Sequence, residues 1–124
     1  MRTAALVGIA GAIGTMARYG LDGLISRRFP GAFPLGTFAI NVTGSFLLGF
    51  VFTALTERFM VGPGTRSALT IGVLGAYTTF STLSLETVRL IEDGAYLIAA
   101  ANALGSLAAG LLAVYVGIVA GRAV

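Results

Sequence analysis

The chain of 124 residues has no cysteine, no histidine and no tryptophan, and only 10% of its residues are charged. Without cysteine it has neither a disulfide framework nor thiol chemistry. Without histidine it lacks the commonest general base and the commonest metal ligand. Five acids remain, Asp22, Glu57, Glu86, Glu92 and Asp93, and none forms a recognisable paired-carboxylate spacing. No P-loop is present either. These absences leave an enzyme without its usual chemistry. The net charge is +3, but the eight arginines stand singly or in one pair. Nucleic-acid binders gather their basic residues on one face, so no nucleic-acid partner is expected.

What is present is apolar, at 56% of residues. Soluble domains carry about 25% charged residues, so this composition indicates an integral membrane protein. A helix needs about 20 apolar residues to cross the hydrocarbon core. Four segments qualify, at about 3–25, 36–56, 66–91 and 95–121, and residues 1–124 form one transmembrane domain. The first reads as a span, not as a cleaved signal peptide. The expected class is all-α and multi-pass, with short loops that set neighbouring helices antiparallel. Arg2, Arg58, Arg66 and Arg122 fall on the side of the termini, and Arg27, Arg28 and Arg89 on the other. Arginine bias normally sets orientation. Near-equal counts suggest insertion both ways and an antiparallel, dual-topology dimer, unless the balance is accidental. Gly8, Gly11 and Gly14 in the first span, and Ser106, Gly110, Gly117 and Gly121 in the last, suit close helix approach.

The third span contains Gly72-Val-Leu-Gly-Ala-Tyr-Thr-Thr-Phe-Ser-Thr-Leu83, dense in glycine and hydroxyls. Such a stretch predicts a helix broken in mid-membrane. Freed backbone groups survive there only when buried in protein or lining a wet cavity. Freed carbonyls at Gly72 to Thr82 suit a cation. Asn41 lies inside the second span, where an amide serves either an anion shedding water or a neighbouring helix. The Phe80 ring faces lipid, or it offers an anion its positive edge. Glu86 has Arg89 at helical spacing for a pair; its other role is at a vestibule. Asn102 and Ser106 share a face that either extends a polar track or packs helices.

Three blocks resemble the Fluc (CrcB) family of small bacterial fluoride channels. They are Gly11-Ala-Ile-Gly-Thr-Met-Ala-Arg-Tyr19, Gly36-Thr-Phe-Ala-Ile-Asn-Val-Thr-Gly-Ser-Phe-Leu-Leu-Gly49 and Gly72-Val-Leu-Gly-Ala-Tyr-Thr-Thr-Phe-Ser-Thr82. With the span layout, the resemblance covers essentially the whole chain. It implies an antiparallel homodimer with two fluoride pores in the inner membrane of the cell. It also implies a structural sodium ion held by backbone carbonyls matching Gly75 and Thr78. Asn41 and Phe80 match pore residues, Ser81 and Thr82 match hydroxyl positions near the pore, and Ser106 is placed with them. One position departs from the family pattern: Leu83 stands where a second pore phenylalanine is usual. That departure implies slower conduction or pairing with a second, unlike subunit.

The expected function is passive fluoride export that lowers cytoplasmic fluoride. Two other classes share some features. A small four-helix multidrug exporter needs an embedded glutamate in its first helix and a tryptophan, and this chain has no acid before Asp22. A non-transporting membrane assembly protein has no evident use for the third-span break.

Overall fold

A computed structural model describes residues 1–124, and every regular element is helical. Helix α1 is Arg2–Arg28 and ends before the loop carrying Pro30 and Pro34. Helix α2 spans Leu35–Arg58, with its last five residues, Ala54–Arg58, wound as a π-helix. Helix α3 covers residues 63–77 and opens with Pro63 at its first turn, where a missing N–H costs nothing. Within it, Ala68–Leu74 is again π-helical. Helix α4 is Phe80–Glu92 and α5 is Tyr96–Ala123. Gly94, at φ +77, ends α4 in the left-handed conformation that glycine adopts without strain.

Four stretches are long and apolar enough to cross a membrane: Arg2–Arg28, Leu35–Arg58, Pro63–Glu92 and Tyr96–Ala123. Only 17 of 124 residues are buried, and leucines, isoleucines and tyrosines along α1 and α5 face outward. That pattern suits lipid or a partner as the surrounding medium, since water would not tolerate so much apolar surface.

Thr3 lies near Gly64, and Arg122 pairs with Glu57 at 3.2 Å. Both ends of the chain therefore meet at the α2–α3 loop, and the helices run up and down in turn. The Arg122–Glu57 pair is the one ion pair, and the expected Glu86–Arg89 pair does not form. Glu86 instead accepts a hydrogen bond from the buried Thr37 hydroxyl at 2.8 Å. Its carboxylate turns inward, while Arg89 stays exposed on the outer face.

Two glycine seams set the helix spacing. Along the first, a Cβ at Gly14 would overlap the Val73 carbonyl, and one at Gly72 would meet Ala10 Cβ at 2.7 Å, so α1 and α3 touch backbone to backbone. Along the second, Cβ atoms at Gly49 and Gly117 would overlap the Val114 and Phe46 carbonyls, which locks α2 on α5. Without a hydrophobic drive between helices in lipid, this close approach is a main source of attraction. Gly117→Ala is expected to cost about 1–3 kcal/mol through overpacking, read as a lower thermal-aggregation midpoint in detergent. Gly105→Ala meets open space within 4 Å and is expected to hold the midpoint or raise it slightly, since alanine suits a helix interior better than glycine.

Candidate functional site

Between α3 and α4 the helical geometry stops for two residues. Thr78 has φ −81 and ψ 159, and Thr79 has φ −151 and ψ 112, both extended. Two extended residues strand several backbone groups, and each needs another partner. Asn41 of α2 supplies two of them. Its Oδ1 accepts the Thr79 N–H at 2.8 Å, and its Nδ2 donates to the Thr79 carbonyl at 3.0 Å. This reciprocal pair fixes which end of the amide is which. One hydrogen on Nδ2 is left over.

The start of α4 is capped by Thr79. Its Oγ1 accepts the Thr82 N–H at 3.3 Å and donates to the Thr82 hydroxyl at 2.9 Å. These bonds have a consequence on the other side of the chain. The Gly75 carbonyl loses its regular helical donor, the Thr79 N–H, to Asn41. The Thr78 carbonyl loses the Thr82 N–H to the cap and accepts no other hydrogen bond. Gly75 is exposed on the outer face of the protomer. The neighbouring Ala76 carbonyl is occupied by Arg18 Nε at 3.1 Å. Oxygen atoms without donors are the ligands a hard cation prefers, so these two residues are chemically suited to sodium.

A groove of about 630 Å³ runs from the interruption along α2, α4 and α5. Asn41, Thr78, Phe80, Leu83, Thr87 and Ser106 are among its lining. Phe80 is 81% exposed. Ser81 is exposed, and neither it nor Thr82 nor Gly75 lines the groove. Four hydroxyl-bearing lining residues were not singled out as site residues from sequence: Ser45, Thr79, Ser84 and Thr87. Ser45 was legible in principle, because Thr37, Asn41 and Ser45 recur every four residues and share one face of α2.

Most hydroxyls here spend their protons locally. Thr78 donates to the Leu74 carbonyl, Ser84 to that of Phe80 and Thr87 to that of Leu83. Such back-bonding is the usual fate of helical serine and threonine. The donors left for a guest in the groove are the second Asn41 N–H and the hydroxyls of Ser45 and Ser106. Ser106 is 5% exposed and its Oγ has no partner. Asn102, one turn away and fully buried, gives Nδ2 to Thr87 Oγ1 at 3.0 Å and leaves Oδ1 unpaired.

Four apolar helices of membrane-spanning length, with a groove along α2, α4 and α5 that holds spare hydrogen-bond donors at Asn41, Ser45 and Ser106, define a multi-pass membrane protein. The model of the family described as CrcB-like protein, Camphor Resistance (CrcB), matches residues 5–118, and the chain belongs to that family. It is 45% identical over 124 residues to a fluoride-specific ion channel FluC of Nitratidesulfovibrio vulgaris (strain DSM 19637 / Miyazaki F), with all of both chains covered. It is 46% identical over 122 residues to one of Geotalea daltonii, covering 98% of each. A third relative, fluoride-specific ion channel FluC 2 of Geobacillus kaustophilus, is 47% identical over 116 residues, with 94% of this chain and 90% of the relative covered.

Thr79→Val removes the side-chain cap but keeps the backbone bonds to Asn41, and is expected to cost about 1 kcal/mol. Asn41→Ala leaves the Thr79 N–H unpaired and takes one of the two donors from its carbonyl, and is expected to cost about 2 kcal/mol. Thermal denaturation of the purified variants in detergent reads the order.

Proposed function

We propose that the protein is a passive, fluoride-selective channel of the inner membrane, working as an antiparallel homodimer. The observation that carries this is the anion-ready groove on a chain about 45% identical, end to end, to a fluoride-specific channel. The interruption at Thr78 and Thr79 lies at membrane depth on this reading. Fluoride gives up its water only where other donors replace it. The spare Asn41 N–H and the Ser106 hydroxyl do so, and the Phe80 ring edge adds a weak positive field without a formal charge. Weak sites in series suit permeation, because an ion held too well does not leave. Ser81 and Thr82 stand beside this route, on the first turn of α4. No chemical step and no enzyme activity enters the mechanism.

The donor-free carbonyls of Gly75 and Thr78 would hold a sodium ion, which supplies positive charge to a join between helices. One protomer offers two such oxygens, too few for a bare cation, and an inverted second copy doubles them. That supports an antiparallel dimer, and the even spread of arginines over the two ends supports two like copies over pairing with an unlike subunit. Nothing in the groove favours the drug-exporter or assembly-protein readings.

Liposomes loaded with fluoride and holding the pure protein are expected to release it quickly, and chloride far more slowly. No release, or equal rates, sinks the channel. Leu83 lines the groove where a second ring edge would stand. Leu83→Phe is expected to raise the fluoride rate several-fold, and an unchanged rate would place the limit elsewhere.

A further inference from the structure

A second cavity, of about 330 Å³, lies beyond the opposite end of the α2 stripe from Ser45. Asp22 and Ser26 of α1, Gly36 and Thr37 of α2, and Glu86 of α4 line it. Thr37 stands one turn from Asn41 and Glu86 one turn from Leu83, both of which line the groove, so the cavity extends the polar route toward the surface at the α1–α2 loop. One Glu86 oxygen accepts from Thr37, and the other is buried without a partner. Asp22 reaches inward because Gly36 has no side chain; a Cβ there would overlap the Asp22 carboxylate. The one hydrogen bond to Asp22 is a long one from Ser26, at 3.5 Å.

No cation neutralises either acid. The one ion pair, Arg122 with Glu57, sits at the other end of the bundle. From α1, Arg18 Nε is committed to the Ala76 carbonyl and Arg27 Nε to the Gly23 carbonyl. Arg28, and Arg89 of α4, form no ion pair. The loop between α1 and α2, residues 29–34, contributes no charge. Within the protomer, an anion passing this cavity therefore meets two carboxylates and no paired cation.

We propose that Asp22 is a rate-determining residue: its charge opposes anions at this mouth and holds fluoride conduction below what the rest of the route allows. The proposal rests on the fluoride reading of the same route. A charge at a narrow, low-dielectric mouth changes the local concentration of permeant ions, and salt screens that effect. The Debye length falls from about 30 Å at 0.01 M to about 3 Å at 1 M. Charge and shape are thereby separable.

The test compares fluoride efflux from liposomes for the wild type, Asp22→Asn, Asp22→Ser and Asp22→Glu, at low and high concentrations of an impermeant salt. Removing the charge is expected to raise flux by about threefold to tenfold at low salt, with the gain fading at high salt. Asp22→Glu is expected to match the wild type. Two neutral variants of different size guard against one that fails to assemble, which gel filtration reveals. Neutral variants that conduct no faster than the wild type at low salt overturn the proposal, and so does a gain that persists at high salt. A wild type that passes no fluoride fails the channel reading itself, a separate outcome.

Discussion

The two hydrogen bonds between Asn41 and the Thr79 peptide hold the rest of the arrangement in place. Lipid offers no partner to a loose backbone group, and each unpaired one costs several kcal/mol. Two successive extended residues between α3 and α4 are tolerable because an amide from α2 takes one N–H and one carbonyl at once. The same bonds withdraw the helical donor of Gly75, and the Thr79 cap withdraws that of Thr78. Acceptors are thus bared around Gly75 and donors are spared at Asn41. We read the first as the cation side and the second as the anion side.

The glycine seams make this clamp possible. Asn41 meets Thr79 because α1 holds α3 backbone to backbone at Gly14 and Gly72, and because α2 is fixed on α5 at Gly49 and Gly117. The π-helical run Ala68–Leu74 precedes the interruption by a few residues. An extra residue per turn shifts the face that follows, and such widenings gather at functional positions. The groove then lies along the one surface where α2, α4 and α5 all present polar groups.

The sequence made four helical spans legible, because twenty-residue apolar stretches between short polar loops have few other physical outcomes. Asn41 was conspicuous as an amide within one of them. Its partner was not, since Thr79 lies 38 residues away and no periodicity links two helices across such a distance. Glu86 shows the limit of local spacing. The helical offset pointed to Arg89, yet a carboxylate turned into the bundle bonds the buried Thr37 hydroxyl. The small residues of α5 announced close packing without saying that α2 would be the neighbour. Asp22 looked like an ordinary residue near a helix end until Gly36 was seen to admit it.

On the proposed reading the clamp and the anion route share one side chain, so a change that keeps the bond to the Thr79 N–H and spoils the route tests the second role. Asn41→Asp retains an acceptor for the Thr79 N–H, gives up the bond to the Thr79 carbonyl together with the spare donor, and places a negative charge on the route. Fluoride efflux from liposomes is the direct reading, with gel filtration confirming assembly. The expected result is an assembled protein whose fluoride flux falls to the protein-free leak. Wild-type flux through assembled Asn41→Asp would contradict the claim that Asn41 both pins the interruption and meets the ion.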